Sequence, residues 1–257
     1  MGVMLVIGGV LVVLICLILL LMKFCKPGSK MHSLFLKIKA KLLWNSVLRF
    51  ILQGYLKFTI STLFALYLLS FSSEIKSVNA AISIIVFLVL LSMPVFFGIL
   101  LHRNRDSLQT PELKAKIGSA YLGTRTADAY PRLYSSVFLV RRMVYAILTI
   151  LCISNPNILI HVFLFTNLIY SLYLGLANPH DAPLGRRMEF INEIGLQLIT
   201  YHLALFPLAP TLDDEELAGW SMIGTIGLVF AVNLVIMLGV TIGGVRRKLY
   251  LRKLRKQ

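Results

Sequence analysis

The residues of this sequence able to do chemistry stand where charge is most costly. Arg141 and Arg142 lie inside an otherwise apolar stretch, and Glu189 and Glu193 open another. A charge in hydrocarbon needs a partner, so ionisable residues at membrane depth are functional candidates, and these four are expected to pair. A polar stripe follows on the second stretch: Asn192, Gln197, Thr200, Tyr201 and His202. Such a stripe either lines a wet path or hydrogen-bonds neighbouring helices. Further on, Asp213, Asp214, Glu215 and Glu216 form an acidic run, and Asn233 is the one strongly polar residue between Thr225 and Thr241. A ring of carboxylates in an oligomer would attract cations, and an asparagine midway along a helix could face a pore or donate across a helix interface.

None of this is catalytic chemistry. The sequence has no His/Cys/Asp/Glu cluster at metal-ligand spacing, no glycine loop shaped for phosphate and no assignable nucleophile–base–acid set. It is read as a non-enzyme with no metal and no cofactor. His161 sits in apolar surroundings, and the three cysteines, Cys16, Cys25 and Cys152, have no metal spacing. Cys25, between Lys23 and Lys26, is placed where S-palmitoylation occurs, although a plain free thiol is the preferred reading.

The elements that must position these residues are membrane helices. Of 257 residues, 58% are apolar and 14% charged, against about 45–50% and about 25% in soluble domains. The apolar residues fall in seven blocks: 3–22, 55–71, 80–101, 135–154, 158–177, 189–208 and 218–245. Most are close to the roughly 20 residues that a helix needs to cross a hydrocarbon core. The net charge of +15 does not indicate nucleic acid, because Lys and Arg occupy the short segments between blocks, where they orient membrane helices. With the N-terminus outside and seven crossings, Lys76 is the only one of 26 Lys and Arg left outside. Dropping any one block would move the tail or the lysine-rich segment to the wrong side.

The expected organisation is therefore all-α. Residues 1–30 hold an N-terminal transmembrane helix and its basic flank, and residues 31–54 a basic amphipathic elbow before the second span. Residues 55–245 form a six-helix bundle and residues 246–257 a basic cytoplasmic tail. In the elbow, Lys37, Lys39, Lys41 and Arg49 are interspersed with apolar residues at helical spacing, so lysine stems can snorkel toward headgroups. Anionic lipid on the cytoplasmic side is the expected partner. The stretch 102–133, with Pro111, Gly118, Gly123 and Pro131, is expected to be a connection with at most short helices.

Three stretches are distinctive together: Trp44-Asn45-Ser46-Val47-Leu48-Arg49-Phe50 leading to Gln53-Gly54-Tyr55-Leu56; Lys116-Ile117-Gly118-Ser119-Ala120-Tyr121-Leu122-Gly123-Thr124-Arg125; and Leu133 through Arg142, followed by Glu189 and Asn192-Glu193. The series, over roughly residues 40–206, resembles the C-terminal transmembrane region of the TRP-like (transient receptor potential-like) membrane proteins of ciliates. The resemblance implies a cation-channel-like bundle, with blocks two to seven as six channel helices and blocks six and seven around a pore. It also implies a homo-oligomer or a larger membrane complex. One departure stands out: only residues 209–217 join blocks six and seven, less than a re-entrant pore helix and filter require. A non-conducting scaffold subunit and a lipid-handling protein are the other readings.

Overall fold

A computed structural model describes residues 46–254, together with Val13, Cys16, Leu17 and Leu20. The described part is helical throughout: α1 (Val47–Tyr67), α2 (Glu74–Arg103), α3 (Pro111–Ile117), α4 (Ala129–Arg132), α5 (Tyr134–Leu151), α6 (Pro156–Ala177), α7 (Pro183–Leu205) and α8 (Leu212–Leu254). Short 3-10 turns stand at Gly118–Ala120 and Phe206–Leu208.

The punctuation is local chemistry. Ser73 caps α2 by accepting from the Lys76 amide at 3.4 Å, and Pro111, Pro156 and Pro183 stand at the first positions of α3, α6 and α7, where a missing N–H costs nothing. Asn178, at φ 44°, stops α6 in the left-handed conformation that asparagine tolerates, and Pro179 prevents resumption. Pro94 does not end α2, which runs through it.

Five of the described helices are long and apolar enough to cross a membrane: α1, residues Lys76–Arg103 of α2, α5, α6, and residues Leu212–Arg246 of α8. The protein is thus a multi-helix membrane protein. At 23 residues α7 is long enough, but Arg186, Arg187, Glu189, Asn192, Glu193 and Gln197 lower its hydropathy, and it is not among the five. Most of the first expected block (3–22) lies outside the described residues. Within it, Val13, Cys16, Leu17 and Leu20 are helical and exposed.

Two expected boundaries move. Residues 47–54, read as the end of the elbow, are the first two turns of α1; the rest of the elbow, with Lys37, Lys39 and Lys41, lies outside the described residues. The acidic run is not a loop. Asp213, Asp214 and Glu215 occupy the first turn of α8, which leaves only residues 206–211 between α7 and α8. Helical structure extends to the acids because carboxylates at a helix N-terminus are stabilised by the macrodipole.

The chain divides into two compact units, Met1–Leu159 with Leu176–Ala182, and Ile160–Gly175 with Pro183–Gln257. In the first, α1, α2 and α5 pack on one another. Tyr55, Leu90, Phe97, Leu101, Leu139 and Met143 form the core and continue into Leu108, Ile117 and Tyr121 beneath the 104–133 connection. The Tyr55 hydroxyl donates to the Leu90 carbonyl at 2.8 Å, so α1 and α2 are joined by a polar bond at the centre of an apolar interface. In the second unit α7 packs on α8. Gly195 is a point of close approach: a Cβ there would lie 2.5 Å from Val229 Cγ2.

Many hydroxyls in these helices are satisfied within their own backbone, although the buried Thr62 and Ser136 hydroxyls find no partner among the described residues. Thr59, Ser83, Thr149, Thr166, Thr200, Thr225 and Thr241 each donate to the carbonyl four residues earlier, at 2.7–3.0 Å. That is the cheapest solution where no water reaches, since an unmet polar group in hydrocarbon costs several kcal/mol.

Candidate functional site

Arg142 of α5 is held by α1. Its Nη1 donates to the Leu52 carbonyl at 2.9 Å and the Gln53 carbonyl at 3.2 Å, using the second lone pair that a helical carbonyl keeps. Its guanidinium lies over the Phe138 ring, 4.0 Å from the centroid. The neighbouring Arg141 is buried; its Nε donates to the Tyr145 hydroxyl at 2.8 Å, and its guanidinium lies 5.2 Å from that ring's centroid. Both arginines thus have fixed partners inside the first unit.

The expected acidic partners belong to the second unit. Glu193 is buried, and Glu189 accepts from the Tyr170 hydroxyl at 3.3 Å. Asn233 of α8 donates to Asn192 Oδ1 of α7 at 2.6 Å and to the Val229 carbonyl at 2.9 Å. One pore candidate and one stripe residue are therefore a single interhelical bond. Gln197 is half-buried, with no partner for its Oε1. Thr200 is buried, whereas Tyr201 is exposed. His202 has Nδ1 2.7 Å from the Leu198 carbonyl and Nε2 2.9 Å from Ser221 Oγ. A carbonyl only accepts, so Nδ1 carries the proton and Nε2 of the neutral ring accepts from Ser221.

Of the acidic residues, Asp214 takes part in the cap of α8. The Thr211 hydroxyl accepts from the Asp214 amide at 3.2 Å and donates to Asp214 Oδ2 at 2.5 Å. That is a threonine N-cap with its acid three residues on. Glu216 accepts from Trp220 Nε1 at 3.1 Å. Arg49, the one expected headgroup contact among the described residues, is exposed on the first turn of α1. The glycines at 224, 227, 239, 243 and 244 of α8 have no neighbour within 4 Å of a built Cβ, so among the described residues α8 uses none of them to approach another helix.

The most elaborate polar construction lies in the 104–133 connection, where sequence reasoning placed no candidate site residue. Gly123, at φ 85°, turns the chain so that Thr124 pairs with His180 in an isolated antiparallel bridge. The Arg125 amide donates to the Pro179 carbonyl at 2.8 Å, and the Asp181 amide to the Gly123 carbonyl at 3.0 Å. His180 packs edge-on against Tyr134, 5.1 Å between centroids. Beneath this, the buried Tyr121 hydroxyl donates to the Leu108 carbonyl at 2.6 Å, and Ser135 donates to the Ala120 carbonyl. Burial pushes the Tyr121 phenol up from its usual range, so it stays a donor further into the alkaline range. Arg132 is 8% exposed; its Nε and Nη2 donate to the carbonyls of Thr126 and Ala127, each at 3.1 Å. Arg125 pairs with Asp128 at 3.0 Å. The sequence signal was present in Gly123-Thr124-Arg125 and Asn178-Pro179-His180-Asp181, two polar runs in a chain otherwise built of apolar blocks.

No group of three or more His, Cys, Asp or Glu among the described residues is placed to hold a metal ion. Comparison with family models, curated proteins and solved structures finds no match for this chain.

Proposed function

We propose that this chain is a TRP-like, cation-channel-related integral membrane protein. It has about seven crossings, an external N-terminus and a cytoplasmic C-terminus, and it works in an oligomer or a larger membrane complex. The observation that carries the reading is α8. It is 43 residues long, roughly 65 Å of helix against a hydrocarbon core of about 30 Å. None of its most apolar window is buried by the rest of the chain. A helix so exposed, and with α7 as its neighbour within the second unit, is suited to a shared face between copies, as the last helix is in the proteins that this chain resembles. The topology is supported by charge placement and by the Thr124–His180 bridge. That bridge needs the 104–133 and 178–182 connections on one side, as two intervening crossings require.

A non-conducting scaffold subunit is the second reading, and two observations favour it. Only residues 206–211 separate α7 from α8, and Asn233 is engaged with Asn192. Reconstitution of the purified protein with current recording separates the two. A cation current that falls when Asp213–Glu216 are neutralised supports the channel. No current across a range of ions and voltages sinks it and leaves the scaffold.

A further inference from the structure

We infer that the crevice between the end of α2 and the start of α4 is a binding site for a phosphate group. It has a volume of about 480 Å3 and is lined by Arg105, Asp106, Gln109, Thr126, Ala127 and Arg132.

The argument starts from Arg132. Its side chain is buried, and its only hydrogen bonds among the described residues are those to the Thr126 and Ala127 carbonyls. The two ion pairs described are Arg105 with Asp106 and Arg125 with Asp128, so neither includes Arg132. All eleven Asp and Glu of the sequence lie among the described residues; none of them forms a described ion pair with Arg132, and Asp106, the one carboxylate lining the crevice, pairs with Arg105. A buried guanidinium without a counter-charge is costly. Carbonyl dipoles offset part of that cost, but they occupy only Nε and one N–H of Nη2. The other three N–H groups of the fork remain for a ligand at the crevice.

The rest of the crevice fits the same ligand. Arg105 brings a second guanidinium, 57% exposed. Gln109 Nε2 donates to Thr126 Oγ1 at 3.0 Å, holding the loop against the end of α2. Two arginine forks, one fixed and one free to close, match the planar, multidentate recognition of phosphate oxygens. Asp106 opposes this: its carboxylate lies 3.5 Å from Arg105 Nε, but it is 91% exposed and held in water. A bound phosphate would take Arg105 from it. The phosphate could belong to an inner-leaflet lipid or to a soluble anion. The site does not rest on conduction; only its lipid source rests on placing the 104–133 connection inside.

The test uses the full chain in nanodiscs of phosphatidylcholine, read by thermal midpoint and by direct binding. One arm adds inorganic phosphate against chloride at equal ionic strength; the other replaces part of the lipid with phosphatidic acid. Stabilisation by ligand follows from preferential binding to the folded state. Arg132→Gln risks misfolding, because Arg132 also ties the loop, so the exposed positions carry the test. Arg105→Gln is expected to weaken binding about tenfold, and Asp106→Asn to tighten it roughly two- to fivefold. A response to inorganic phosphate establishes a soluble anion as ligand; a response to phosphatidic acid alone establishes the lipid. No response in either arm, or one indifferent to both variants, overturns the site.

Discussion

Arg142 shows how a helix can hold a guanidinium at membrane depth. Its described contacts include two backbone carbonyls and the Phe138 face. Those contacts need a planar fork that can stack while it donates. Arg142→Lys should therefore behave much like Arg142→Ala, each lowering stability by about 2–4 kcal/mol. Chemical or thermal unfolding in detergent checks this, and full rescue by lysine would contradict the geometry. Asn192 and Asn233 make the complementary case. Asn192→Leu and Asn233→Leu should each cost about 1 kcal/mol, and the double variant should cost less than their sum, because the second change removes an amide already left without its partner. A strictly additive cycle would return Asn233 to the list of pore-facing candidates.

At the scale of elements, the α7–α8 pair is set by one small residue on α7. A Cβ at Gly195 would collide with the branched side chain of Val229, which has no rotamer freedom to yield. Gly195→Ala should destabilise the second unit by about 1–3 kcal/mol, whereas Gly224→Ala or Gly227→Ala, with open space around them, should be neutral or slightly stabilising through helix propensity. Differential protection of α7 and α8 in hydrogen exchange would show it. The start of α8 makes a second element-scale prediction. Thr211→Ala removes the cap on the Asp214 amide and should cost about 1 kcal/mol, seen as fraying of the first turn. Equal fraying after neutralising Asp213 and Glu215 would assign the helix start to the macrodipole instead.

At the scale of the whole molecule, the prediction concerns sidedness. Cysteine introduced at Lys76 should react with a membrane-impermeant thiol reagent in intact cells. Cysteines at Thr126 and Arg186 should react only after permeabilisation. Labelling of Thr126 and Arg186 from opposite sides would break both the charge-based topology and the proximity implied by the Thr124–His180 bridge. Alkaline pH offers an independent probe of this connection. The Tyr121 phenol titrates above its ordinary value in the folded protein. Its contribution is therefore complete below the ordinary phenol pKa of about 10 and is lost as pH rises through the raised one. Tyr121→Phe should flatten that alkaline loss.

What the sequence determined by itself is what depends on composition over a stretch. Apolar blocks of spanning length made the five apolar helices legible, and the Asn178-Pro179 pair marked where α6 ends. These are local or additive quantities, summed along the chain without knowledge of what touches what. What only the tertiary structure decided is the partner of each polar side chain. The acidic run is a helix cap and not a loop, because Thr211 and Asp214 close on each other. Asn233 meets Asn192 across 41 residues, Arg142 meets carbonyls about 90 residues away, and Arg132 is left lining a crevice without a counter-charge. A buried polar group is satisfied by whatever the fold brings within about 3 Å. Such distances are properties of packing between helices, on which the hydropathy and charge that defined the helices have no bearing.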